Sequence, residues 1–406
     1  MRDGVRACLA ELMFASRTNW SLTPNRLSQL MEERRRQGLS FLDLTESNPT
    51  RCGFNFDAEK LLGVLANPRA LSYEPDPRGL LAARLAVADY YAERHVQVEP
   101  AQIFLTTSTS EAYSYVFRLL ANPGDAILVP RPSYPLFDFL AGLNDVDLVP
   151  YPLAYHDGWR LEVGMLDAIL DSSLRKARAI VVVHPNNPTG SFVCREELEC
   201  LLKHCEEHAL ALVADEVFVD YAFAPDDERV VSHAAVSEAL TFTLSGLSKV
   251  SALPQMKLAW VVVNGPPDVL SKALERLEVI ADTYLSVSAL LAHALPAMLE
   301  TRRSLQPQIL KRVRTNRHWL DERLAGDLPV SRLKPDGGWC AILRLPAIRS
   351  DEDWAVELLA EDGVLVHPGH FYDFASEGHL VVSLLPLAEI FQQGIRKLLA
   401  RVARHG

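Results

Sequence analysis

The residue best placed for chemistry is Lys249, which closes the run Leu244-Ser245-Gly246-Leu247-Ser248-Lys249. Residues 238–243 before it alternate β-branched and aromatic side chains and read as a short strand. A lysine among small hydroxyl and glycine residues, just past a buried strand, does not read as a solvated surface charge. Partial burial disfavours the ammonium form, and a neutral amine attacks an aldehyde to give a Schiff base. A second reactive group is Asp215, at the end of the apolar run Leu210-Ala211-Leu212-Val213-Ala214. A carboxylate there can hold the proton of a heteroaromatic nitrogen. Taken alone it reads equally well as a helix N-cap or a salt-bridge partner.

Three more segments end in polar groups. Ile180-Val181-Val182-Val183 runs into His184-Pro185-Asn186-Asn187-Pro188-Thr189-Gly190, a buried parallel strand followed by a sharp loop. Asn187 is either a ligand-facing amide or a turn residue bonding its own backbone. Ile103-Phe104-Leu105 leads into Thr106-Thr107-Ser108-Thr109-Ser110, then an apolar-periodic helix through Leu120. Ser108 or Ser110 is its N-cap, and a hydroxyl-rich helix start is also a phosphate cradle. Ala126-Ile127-Leu128-Val129 delivers Tyr134 to the same edge, where its ring can stack on a flat heterocycle.

Hydroxyl-capped helix, loop aromatic, Asn-Pro-Thr-Gly, strand-end Asp and Ser-Lys occur here in the order found in fold-type I enzymes that use pyridoxal 5'-phosphate. The chain resembles the class I/II aminotransferases, nearest the aspartate and alanine group, from about Thr45 to Ser383. The resemblance makes Lys249 the Schiff-base lysine, Asp215 the pyridinium partner and Asn187 a donor to the ring hydroxyl oxygen. It makes Ser108, Thr109 and Ser110 the phosphate turn and Tyr134 the stacking ring. Tyr73 matches a tyrosine that reaches the phosphate held by a neighbouring subunit, which implies a homodimer with shared active sites. Asn48 lies in the loop entering the active site. His370 or Tyr372 lies in a small-domain loop over the substrate.

The departures from the pattern are as informative. Phe218 stands where the family has a phenol. Gly246 replaces a common serine, leaving Ser245 or Ser248 for that phosphate contact. Lys257 stands in for a phosphate-binding arginine and keeps the charge without the planar fork. Val381 occupies the place of the arginine that grips the substrate carboxylate by two prongs. Either another arginine takes over, with Arg51 the candidate, or the substrate has no carboxylate there and Val381 is an apolar wall.

The resemblance implies an aminotransferase passing an amino group between an amino acid or amine and a keto acid. The same parts serve a lyase, decarboxylase or biosynthetic cyclase. A non-catalytic regulatory protein that binds the cofactor fits less well, because the residues before Thr45 are too few for a DNA-binding module.

Composition agrees with an enzyme. The chain is 49% hydrophobic and 23% charged, ordinary globular usage. A net charge of −11 speaks against a nucleic-acid partner. Six scattered cysteines suit a reducing cytoplasm. Cys200, His204, Cys205 and His208 fall on one amphipathic helix without a second cluster, so no metal is expected. No apolar run is long enough to cross a bilayer, and the N-terminus has no secretory pattern. The expected class is α/β: a mainly parallel sheet of the seven-stranded type plus a smaller α+β domain. The expected units are an N-terminal helix and arm (1–44) packing with the small domain, a large cofactor domain (45–300) and a small C-terminal domain (301–406). One long helical stretch, 268–301, is expected to join the last two.

Overall fold

A computed structural model describes residues 13–172, 176–326 and 328–405. The first 12 residues of the expected N-terminal arm therefore lie outside the described residues. The chain enters through the helix Arg26–Arg36, N-capped by Asn25, and strand β1 (Leu42–Asp43). Arg26 pairs with Asp353 at 2.8 Å and Arg34 donates to the Ala360 carbonyl at 3.0 Å, so this arm packs on the C-terminal part of the chain.

The central sheet holds β2 (Ile103–Thr106), β3 (Ala126–Arg131), β4 (Asp147–Tyr155), β5 (Trp159–Leu161), β6 (Ala177–Val183), β7 (Ala211–Asp215), β8 (Thr241–Gly246) and β9 (Ala259–Asn264). Their spatial order is β2-β9-β8-β7-β6-β3-β4-β5. From β8 across to β4 the pairing is parallel, and β9 runs antiparallel between β8 and β2. The sheet thus has eight strands rather than seven. The extra one, β5, folds back on β4 because Asp157 takes φ 57° ahead of Gly158 and lets Tyr155 pair with Trp159. Helices cover both faces, so strands such as β2 and β8 are buried along their whole length.

Two boundaries differ from the sequence reading. β8 begins three residues later than expected and continues through Ser245 and Gly246, because β9 pairs with it to Ala259. The expected helix over 268–301 is two helices, Pro267–Tyr284 and Ala289–Glu300, turned 119° from one another. The chain turns at Leu285, whose φ of 67° no helix accommodates. Among the described residues no single helix is long and apolar enough to cross a membrane.

Beyond the helix Arg302–Leu324 come β10 (Ser331–Arg332), β11 (Cys340–Arg344), β12 (Val364–Leu365), β13 (His367–Pro368) and β14 (His379–Ser383). The order β10-β11-β14-β13 is antiparallel, while β12 pairs with β1. Residues 364–367 therefore divide between two sheets instead of forming one strand. Val381, in β14, is 1% exposed and packs with Trp159, Leu333, Ile342 and Tyr372. It is a core residue, so the expectation of an apolar wall facing substrate does not hold.

Cys200, His204, Cys205 and His208 do share one helix, Arg195–His208. Cys205 packs into the core, and the carboxylate nearest His204 is Asp167 at 3.6 Å.

Candidate active site

Parallel strands put the chemistry at one edge. β3, β6, β7 and β8 all point their carboxyl ends the same way, and β2, two reversals from β8, does too. Tyr134, Asn187, Lys249 and Ser108 each follow one of these ends and Asp215 closes β7, which is where open α/β sheets take ligands.

Lys249 lies in the one-turn helix Leu247–Val250 directly after β8. Its Nζ sits 4.7 Å from the centre of the Trp339 ring and 5.2 Å from that of Phe218. Burial lowers its pKa to about 8, with the Asp215 carboxylate pulling the other way. The backbone is pinned: the Tyr221 hydroxyl donates to the Lys249 carbonyl at 2.7 Å, and Gln306 donates to that of Val250 at 2.8 Å. Gly246 is explained by space. A Cβ there would lie 2.8 Å from the Ala259 Cβ, so the usual serine has no room.

Asp215 is pushed up to about 6 by burial, against hydrogen bonds that favour its anion. Those come from the Val217 N–H at 3.1 Å and the Tyr113 hydroxyl at 3.2 Å. Tyr113 is a site residue the sequence reading missed. The available signal was helical phase: Ala112, Tyr113, Val116 and Phe117 share the buried face of Thr109–Leu120, which turns Tyr113 toward the strand ends.

Asn187 meets Cys340, whose thiol lies 3.7 Å from Asn187 Oδ1. Burial holds that thiol up to about 12, with Lys249 pulling the other way, so it stays protonated and can donate. Phe218 is buried between Trp339 and Tyr221. Tyr221, three residues on, spends its hydroxyl on Lys249 and supplies no substitute phenol donor.

At the helix start, Ser108 is the N-cap, its Oγ accepting from the Glu111 N–H at 3.1 Å. Glu111 also accepts from the Thr107 N–H and hydroxyl. Thr109 and Ser110 form the first turn, half-buried. Ser245 is fully buried within β8, its hydroxyl 3.5 Å from the Glu216 carbonyl, whereas Ser248 is half-buried beside Lys249. Lys257 is exposed in a left-handed turn, φ 47°. Tyr134 is 46% exposed and Tyr73 75%.

In front of Lys249 opens a cleft of about 570 Å³, lined by Asp43, Thr45, Glu46, Asn48, Arg51 and His367 among others. Asn48 uses its Oδ1 on the N–H and hydroxyl of Thr50 and so caps the turn Pro49–Arg51. His370, the sequence candidate, is exposed and packs edge-on to Phe371. His367 takes the cleft position instead, bonded through Nδ1 to the Tyr372 hydroxyl at 3.0 Å. Tyr372 is buried behind it.

The match of residues 53–391 to the family model "Aminotransferase class I and II" decides the lineage. The chain belongs to the class I and II aminotransferases. This aminotransferase is 29% identical over 372 residues to the glutamate-pyruvate aminotransferase AlaA of Escherichia coli K12, covering 89% of this chain and 90% of that one. It is 28% identical to the S-alkyl-thiohydroximate lyase SUR1 of Arabidopsis thaliana, covering 77% and 68%. Among solved structures it superposes on an E. coli aminotransferase with TM-score 0.83 at 26% identity, covering 96% and 98%. It moves an amino group between an amino donor and a keto acid.

Proposed function

We propose that this aminotransferase uses pyridoxal 5'-phosphate, attached through Lys249. The donor set fits that group: a half-buried amine with a depressed pKa, a half-buried carboxylate with two donors, an amide facing Cys340, and a hydroxyl-capped helix start. When bound, the cofactor supplies an aldehyde for amines and a ring that withdraws electrons from the reacting carbon. Asp215 holds the ring-nitrogen proton; its raised pKa falls again once a cation faces it. Asn187, oriented by Cys340, donates to the ring oxygen. Ser108, Thr109 and Ser110 bind the phosphate at the helix N-terminus, and Lys257 adds a charge. Tyr134 covers the ring. Lys249, as a free amine, would carry the proton from the substrate α-carbon. Trp339 and Phe218 keep water from its amine.

The working unit is a homodimer in which Tyr73 reaches the partner's phosphate, and the exposure of Tyr73 supports this. A reducing cytoplasm is the proposed location; Cys52, Cys194, Cys200, Cys205 and Cys340 are all free thiols.

The observation that carries the reading is the convergence of Lys249, Asp215 and Asn187 at one sheet edge. Incubation with an amino donor alone should convert the cofactor to its amine form and release one keto acid per site. Lys249→Ala should abolish this. Release of a sulfur fragment together with ammonia, with the cofactor left in its aldehyde form, would favour the lyase chemistry named for SUR1.

A further inference from the structure

We infer that Arg51 is the cation that holds the substrate carboxylate, resting against Glu46 until substrate arrives. The inference rests on the aminotransferase reading. A keto acid acceptor carries its carboxylate beside the reacting carbon, so each turnover places an anion next to Lys249. A desolvated carboxylate without a cation is strongly disfavoured.

Strand β14 cannot supply that cation, because Val381 is sealed among Trp159, Leu333, Ile342 and Tyr372. Among the described residues lining the Lys249 cleft, the permanent cations are Arg35 and Arg51. His367 does not count, since burial pushes it below the usual histidine value and keeps it neutral near pH 7. Arg312 lies nearby but donates to the Cys52 and Leu385 carbonyls at 3.2 and 3.0 Å.

Arg51 differs from these in being anchored at its base and uncommitted at its tip. Its turn is pinned by the Asn48 cap. Its side chain is 75% exposed and its nearest acid, Glu46 Oε2, is 3.9 Å away, the outer limit of an ion pair. Glu46 itself is fixed, its Oε1 accepting from the Asn48 N–H at 2.9 Å. Cys52, the next residue, is close enough to Lys249 to feel its charge. Arg51 can therefore exchange a loose partner for a two-pronged grip on a carboxylate. Arg35 is exposed on the helix Arg26–Arg36 and serves as the comparison.

The test uses the cofactor-loaded enzyme, with butyrate as an unreactive carboxylate read by its effect on cofactor absorbance, and pyruvate as acceptor. Arg51→Gln should raise the butyrate Kd and the pyruvate KM together by roughly 30-fold, with a much smaller change in kcat. Arg51→Lys should fall between, keeping charge without the fork. Glu46→Gln, which frees the guanidinium, should tighten butyrate several-fold. Arg35→Gln should match wild type. An unchanged butyrate Kd in Arg51→Gln overturns the assignment, as does loss confined to Arg35→Gln. If the wild type releases no keto acid from any donor, the aminotransferase reading fails separately, and the butyrate comparison still decides the role of Arg51.

Discussion

Lys249 and Asp215 are displaced in opposite directions by the same cause, burial, to about 8 and about 6. For Lys249 the sign follows from linkage. Its folded value lies below its unfolded one, so its contribution to stability is intact above the unfolded value and is lost as pH falls through about 8. Without cofactor, Lys249→Met should therefore raise the melting temperature at pH 7, and the gain should vanish near pH 11. A lower melting temperature for the variant at pH 7 would mean the amine is well solvated. For Asp215, Tyr113→Phe removes one of two donors to the anion. The pH below which cofactor-free enzyme stops capturing pyridoxal 5'-phosphate should move up from about 6. An unshifted acid limb in that binding profile would take Tyr113 out of the site.

Elements act here through close approach. β8 and β9 meet at Gly246, where a Cβ would lie 3.1 Å from the Leu258 carbonyl as well as 2.8 Å from the Ala259 Cβ. Gly246→Ser, although it restores the family's residue, should destabilise the fold by about 1–3 kcal/mol, the usual cost of overpacking. Ala259→Gly in the same chain should recover most of that, as read by denaturant midpoints. A stable single variant would show that the two strands can separate without cost. A second approach joins the two parts of the molecule. The Gly337 N–H donates to the Gly190 carbonyl at 2.9 Å, tying the loop that carries Asn187 to the segment that carries Trp339 and Cys340.

At the scale of the whole molecule, several large apolar residues are exposed. Leu71 is 92% exposed and Leu285 67%. Leu71 and Leu290 line one open apolar groove near Tyr73. Patches of this kind mark association surfaces, and a two-fold pairing would let each copy offer Tyr73 to the other. Sedimentation should find a dimer at micromolar concentration. Leu71→Asp combined with Leu290→Asp should give monomers that lose cofactor faster on dialysis. A wild-type monomer with full activity would refute the shared site.

Residue types and strand-end positions made much of the site legible in the sequence. Lys249, Asp215, Asn187, Ser108 and Tyr134 each follow an apolar run, and parallel pairing sends such ends to one edge whatever the details of packing. What the sequence left open depended on which face a side chain took after packing. Val381 and His370 had suitable places in the chain, but β14 buried the first in the core and a tight turn exposed the second. Tyr113, Cys340 and His367 carried no motif of their own. They joined the site because a helix phase, a strand register and a break between β12 and β13 turned them inward. Local pattern determines where a strand ends; only tertiary contact, acting over long sequence separations, decides which side chains meet there.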